Sequence, residues 1–250
     1  MNIGFLLNTP RRLYKERKSV KKLLSGQIDK LVYLSPSYID ESVKRNDILP
    51  DNLVAIPNAC EDYLLNQGFI PNKKKQIIWC GRIVHNPKNI LFLAKLWKHL
   101  FREFPDWEMI LIGDGCDRQF LERKIKKYGL ERIRITGYTN PYPYYAQASI
   151  FVLPSFHEGF GMSLIEAMSF SCVPVVFDTT SAFRDIITDG VNGFIIPDYK
   201  EKLFIEVCRK LMNSDISTYS YQAKKSTSEL SMDIVGRKWQ SLFKSLVNDK

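Results

Sequence analysis

The stretch HEGFGMSLIEAM at residues 157–168 sets two carboxylates, Glu158 and Glu166, 166 − 158 = 8 positions apart with Gly159 and Gly161 between them. An ionised carboxylate only accepts hydrogen bonds, so a pair of them at one site suits a ligand rich in hydroxyls, such as ribose or hexose. Gly159 and Gly161, on either side of Phe160, carry no side chain and let a ligand reach the backbone. A helix starting here would present unpartnered N–H groups at Met162, Ser163 and Leu164, and such a helix start attracts anions, phosphate above all. The plainer reading is that Glu158 and Glu166 merely favour a helix N-terminal region. The preceding apolar run and the paired glycines weigh against it.

Three further short apolar runs end in glycine or charge. Gly81 and Arg82 follow QIIWC (76–80), with Lys88 a few residues on; Gly113, Asp114 and Gly115 follow EMILI (108–112); Gly137 and Tyr138 follow RIRIT (132–136). Each alone reads as an ordinary turn. If all four runs are parallel strands, these residues share one edge of the sheet, the edge at which open α/β sheets bind ligands.

The elements that must position them follow from periodicity. Apolar, β-branched runs recur at 76–80, 108–112, 132–136, 148–154, 172–177 and 193–197. Between them, residues 88–102 and 117–128 carry apolar side chains at three- and four-residue steps. Strands alternating with helices predict an α/β fold: a Rossmann-like parallel sheet with helices on both faces. Upstream, the chain reads as a basic helix over about 11–25, a strand at 30–35, a helix over 37–46, an extended LVAIPN (53–58) and a loop over 66–75. Downstream it reads as helices over 200–213, 217–229 and 232–247, the last with Ile234, Val235, Trp239, Leu242, Phe243 and Leu246 on one stripe.

Composition bounds the function. The 250 residues carry 36 Lys and Arg against 27 Asp and Glu, so the net charge is 36 − 27 = +9, which favours an anionic partner. No nucleic-acid-binding motif accompanies the charge, and nucleic acid is not expected as the partner. The five cysteines are scattered with no C-x-x-C pair, against a zinc cluster or disulfide framework and in keeping with a reducing cytoplasm. No run approaches the roughly 20 apolar residues of a membrane span, and no signal peptide is read. The basic run from Arg11 to Lys22 has three readings: contact with anionic lipid, a solvated face, or a face covered by another domain. The aromatics of NPYPYY (140–145) either stack on a ligand or pack a helix on the sheet. His157 reads equally as a solvent-edge residue or a substrate contact, whereas His85, His99 and Cys172 read as structural.

The stretch SFHEGFGMSLIEAM, preceded by CGRIVHNPKN, LIGDGCDRQFLE and ITGYT, resembles the retaining GT-B glycosyltransferases of family 4 over about residues 53–247. The resemblance implies that the donor is a nucleotide-diphosphate sugar, UDP- or GDP-linked, with no metal or other cofactor required. It implies that Arg82 and Lys88 clamp the diphosphate, with added donors near Gly161, Met162, Ser163 and Leu164. Glu166 would hold the ribose, Glu158 the sugar and Tyr138 the base, with Gly81, Gly113, Asp114, Gly159 and Phe160 lining the site. Two departures stand out. Lys88 follows Arg82 by 88 − 82 = 6 positions, one more than the family's usual spacing, and TTSAFRD (179–185) replaces its usual glycine pair.

The domains expected are a remnant of an acceptor domain with the crossover (1–58), a nucleotide-sugar-binding domain (59–230) and a helix crossing back (231–250). The expected activity is transfer of a hexose with retention, in surface polysaccharide or glycolipid assembly; the alternative is a non-catalytic or split subunit that binds the nucleotide sugar. Partners implied are a saccharide or lipid-linked saccharide acceptor, a separate chain supplying the acceptor domain, and the inner membrane, touched from the cytoplasm.

Overall fold

The computed structural model describes residues 3–5, 25, 29–46, 52–66, 68–70 and 73–248. The basic run at 11–24 lies outside them.

Two parallel sheets form. The smaller has the order β1 (Ile3–Phe5), β2 (Lys30–Tyr33), β3 (Leu53–Ala55), with helix α1 (Pro36–Asn46) between β2 and β3. A short α2 (Asp62–Leu65) leads into the larger sheet of β4 (Lys74–Cys80), β5 (Glu108–Ile112), β6 (Ile133–Ile135), β7 (Ala148–Leu153), β8 (Val173–Phe177) and β9 (Phe194–Ile196). Its spatial order is β6-β5-β4-β7-β8-β9, so the chain winds outward from β4, then returns to β7 and winds the other way. The direction reverses between β4 and β7, which makes that gap the topological switch point.

The strands are apolar throughout because both faces are covered. Ile77 and Trp79 of β4, Met109 and Leu111 of β5, and Ile150 and Val152 of β7 point into one core cluster. Their alternates Ile78, Ile110, Ile112, Phe151 and Leu153 point into the other. The period of two thus divides each strand between two cores. The first is roofed by α4 (Ile90–Lys98) and α9 (Glu201–Met212), whose Leu93, Trp97, Phe204 and Cys208 are fully buried. The second holds α6 (Tyr142–Gln147) and α7 (Met162–Ser169). Each Leu, Ile or Phe buried this way contributes roughly 1.5–3 kcal/mol before entropy is charged against it.

Several elements differ from the sequence reading. The helix expected over 88–102 is divided: a short α3 (His85–Lys88) precedes Asn89, which takes the left-handed conformation at φ 52, and α4 runs only from Ile90 to Lys98. Asn89 is held there by donating its amide to the Pro154 carbonyl at 3.0 Å. The loop read over 66–75 yields Lys74 and Lys75 to β4. Its Lys73 is not at the surface but donates to the Tyr145 carbonyl at 2.7 Å. Arg118–Lys127 forms α5 and Phe183–Ile186 forms α8. Ser217–Ser226 is α10, followed by a 3-10 turn at Thr227–Leu230 and by α11, Met232–Asn248. Val235, Leu242 and Leu246 of α11 pack with Val32 of β2 and Ile56, the residue after β3, whereas Phe243 lies out in solvent against Trp239. Among the described residues, no helix is long and apolar enough to cross a membrane.

Candidate active site

The carboxyl ends of β4, β5 and β6, with Glu166 from α7, enclose a cavity of about 660 Å³. Gly81 and Arg82, Gly113 and Asp114, Tyr138 to Tyr142, and Glu166 line it. It opens beside the switch point, where a doubly wound sheet binds its ligand.

Glycines set how closely these loops pack. A Cβ at Gly113 would lie 1.9 Å from the Gly81 carbonyl oxygen, and Gly113 sits at φ 134, so no other residue type fits there. The Gly81 amide donates to the Ile112 carbonyl at 3.0 Å, and Ile83 donates to Asp114 at 2.8 Å. These bonds lace the loop after β4 to the loop after β5 and leave Arg82 exposed at the rim. Asp114 faces its own turn: its carboxylate accepts from the Gly115 amide at 2.7 Å and from Arg118 at 2.9 Å. Those bonds hold it below the usual carboxylate range.

The loop after β7 brings Glu158 to Lys88. Lys88 Nζ stands 2.6 Å from Glu158 Oε1, and the Ser155 hydroxyl donates to the same oxygen at 2.7 Å. The Phe156 amide donates to the Pro87 carbonyl at 2.8 Å and ties the two loops together. Asn86 is extended, at φ −109 and ψ 119, and breaks the helical conformation between Arg82 and Lys88. Phe160 is buried. Gly161, at φ 84, ends the loop and starts α7; a Cβ on it would approach the Phe183 ring to 2.9 Å.

Of the three amides expected to be available at the start of α7, Leu164 is taken: it donates to the Gly161 carbonyl at 3.0 Å. The reason is the tight first turn, which satisfies one donor locally. Met162 and Ser163 have no acceptor for their amides among the described residues.

Glu166 stands one turn further along the cavity wall. Burial raises its carboxyl to about 6, with the Glu61 carboxylate adding to the rise and Tyr145 opposing it. The Tyr145 ring is fully buried, and its hydroxyl makes no well-formed hydrogen bond, yet it lies near enough to Glu166 to favour the charged form. The aromatics at 142–145 divide between the cavity wall and the core. Tyr142 lines the cavity and stacks on Phe170 at 5.8 Å, whereas Tyr145 is core. Tyr138 stands 94% exposed on the rim.

Sequence reasoning missed a second set of residues. Tyr38, on α1, donates its hydroxyl to the Gly159 carbonyl and lies within hydrogen-bond distance of Thr180. Asp185 accepts from the Ser35 hydroxyl, from the Ser37 amide at 3.0 Å and from the Ser37 hydroxyl at 2.8 Å. The segment TTSAFRD, which departs from the family pattern, thus supplies Thr180 and Asp185 to the contact with the smaller sheet's helix. One signal was legible: Ser35-Pro36 opens a helix as an N-cap with proline at the first position. Its partner 150 residues away was not.

A doubly wound parallel sheet with a cavity at its strand ends, lined by Arg82, Asp114 and Glu166, defines a Rossmann-like ligand-binding domain. The family described as glycosyl transferases group 1 matches residues 63–229, and the chain belongs to it. It is 26% identical over 182 residues to the poly(glycerol-phosphate) alpha-glucosyltransferase of Bacillus subtilis, covering 71% of this chain and 27% of that protein. It is 26% identical over 223 residues to the N-acetylgalactosamine-N,N'-diacetylbacillosaminyl-diphospho-undecaprenol 4-alpha-N-acetylgalactosaminyltransferase of Campylobacter jejuni, covering 87% of this chain and 60% of that one. The chain therefore spans less than two thirds of the length of either relative. A solved structure of TarM from S. aureus, in complex with Fondaparinux, alpha-GlcNAc-glycerol and UDP, superposes with a TM-score of 0.79 at 23% identity, over 92% of this chain and 46% of that one. The fold is that of the GT-B glycosyltransferases, as the sequence resemblance implied.

Proposed function

We propose that this chain is the donor-binding part of a retaining hexosyltransferase that uses a UDP- or GDP-linked sugar in surface polysaccharide or glycolipid assembly. The observations that carry the reading are the Lys88–Glu158 pair on the loop that leads into α7, and a cavity at the ends of β4 to β6 lined by Arg82 and by Glu166 of that same helix.

Breaking the bond between the anomeric carbon and the diphosphate leaves negative charge on the departing phosphate and positive character on the sugar. Arg82, Lys88 and the two helix amides face the first; in a closed cleft, preorganised donors of this kind lower the barrier most. Glu158, held by Lys88 and Ser155, faces the second. Glu166 accepts from the ribose hydroxyls, and Tyr138 covers the base. The acceptor, a saccharide or lipid-linked saccharide, enters from the side of the smaller sheet. The lipid-linked name of the Campylobacter relative supports that class.

A second reading keeps the same donor site in a subunit whose acceptor domain comes from another chain; the name of a Streptococcus gordonii relative, the GtfA subunit of a UDP-N-acetylglucosamine--peptide N-acetylglucosaminyltransferase, 23% identical over 72% of this chain, supports it. Incubating the purified chain with UDP-glucose or GDP-mannose, with and without a lipid-linked saccharide, tests the first reading. Release of UDP or GDP with α-configured product supports it. Donor binding with no release under either condition supports the second; failure of both UDP-glucose and GDP-mannose to bind or to release nucleotide overturns both.

A further inference from the structure

The hydroxyl of Tyr38 reaches out of the smaller sheet's helix to a backbone carbonyl, that of Gly159, next to Glu158. Gly159 has no atom within 4 Å of where a Cβ would stand, so nothing wedges the residue from that side. Its neighbours are fixed otherwise: Glu158 by Lys88 and Ser155, Phe160 by burial. Between them the Gly159 carbonyl is held by the Tyr38 hydroxyl, with Thr180 more loosely placed at 3.5 Å. Tyr38 itself is placed with little freedom. Its ring is buried, and the turn that carries it, Ser35 to Ser37, is bound to Asp185. Burial, with Glu41, Glu158 and Asp185 nearby, pushes the Tyr38 phenol up, so the group remains a donor at neutral pH.

We propose that Tyr38 is a positioning residue for the diphosphate. By holding the Gly159 carbonyl, it fixes the Glu158–Gly161 loop and thereby the aim of the Met162 and Ser163 amides, from an element outside the larger sheet. The proposal rests on the donor-site reading above. It also gives the segment 179–185 a purpose: Thr180 and Asp185 anchor the helix that carries Tyr38 rather than touch the ligand.

The test separates phosphate recognition from nucleoside recognition. UDP and GDP, with uridine and guanosine, are titrated into the wild-type chain, Tyr38→Phe and Tyr33→Phe. Tyr33 is the control, since its buried hydroxyl bonds Ser42 within the same sheet-and-helix unit, away from the loop. With one hydrogen bond lost from the loop, Tyr38→Phe should weaken the diphosphate by about threefold to tenfold. The matching nucleoside should bind as before, and Tyr33→Phe should leave both unchanged. Equal loss of diphosphate and nucleoside, or no loss of either, overturns the positioning role while leaving the donor site in place. Failure of the wild-type chain to bind either diphosphate overturns the donor-site reading and the role of Tyr38 with it.

Discussion

Lys88 Nζ and Glu158 Oε1 meet at 2.6 Å although 70 residues separate them in the chain. Their side chains are 21% and 10% exposed, so the pair is shielded but reachable from the cleft. Because Glu158 already balances Lys88, the cation at the site without an ion pair among the described residues is Arg82. The two cations should therefore behave differently when removed. Lys88→Ala leaves Glu158 with Ser155 alone and should cost about 1.5–3 kcal/mol of stability, the worth of a hydrogen bond to a charged group. Arg82→Ala should stay within about 0.5 kcal/mol of wild type in stability. Both should lower transferase turnover by about 10²–10³, as loss of a charge-stabilising donor does. Urea unfolding beside steady-state kinetics checks the contrast, and equal stability losses would contradict a stabilising Lys88–Glu158 pair.

Gly113 and Gly159 make an opposite pair. Alanine at Gly113 would drive a Cβ to 1.9 Å from the Gly81 carbonyl at φ 134, whereas at Gly159 it meets open space. Gly113→Ala should destabilise by about 3 kcal/mol or more, through strain at positive φ and overpacking. Gly159→Ala should change stability by less than about 0.5 kcal/mol. Thermal unfolding of the two variants is sufficient.

Glu166 links stability to pH. Its carboxyl is raised from 4.5 to about 6, so between those values the folded chain holds a proton that the unfolded chain has released. Stability therefore falls as pH rises through that window and stays reduced above it. Glu166→Gln, which does not titrate, should match wild type near pH 4 and exceed it at pH 7.5 by about 2–4 °C in Tm, the equivalent of about 1 kcal/mol at this chain length. The same variant should bind UDP or GDP more weakly, because an amide offers one acceptor oxygen where a carboxylate offers two. A gain in Tm that is equal at both pH values would contradict the burial argument.

Tyr138 is 94% exposed, so its ring contributes little to the fold. Tyr138→Ala should leave Tm unchanged and weaken nucleotide binding by about 1–3 kcal/mol, the worth of one stacked base. Calorimetry with UDP and GDP reads it directly.

Much of this arrangement is legible in the chain. The runs QIIWC, EMILI and ASIFVLP read as strands because both faces are buried, and the glycines after them mark the edge where the cavity lies. What could not be read depends on partners far along the chain. Asn89 separates α3 from α4 in a left-handed conformation and donates its side-chain amide to the Pro154 carbonyl, a partner that no local signal shows. Lys73 reads as a loop lysine until the Tyr145 carbonyl stands beside it. Tyr38 lies 121 residues from the carbonyl it holds. Phe243 fits the apolar stripe of α11 by spacing, yet it lies outside the cluster that Val235, Leu242 and Leu246 join and rests on Trp239 instead.

The most direct measurement is calorimetric titration of UDP and GDP into the wild-type chain and into Glu166→Ala at pH 7.5. A nucleotide-sugar site at the switch point predicts that one diphosphate binds wild type with one-to-one stoichiometry and that Glu166→Ala loses most of that affinity. Absence of binding by wild type, or equal affinity in the variant, would contradict the site.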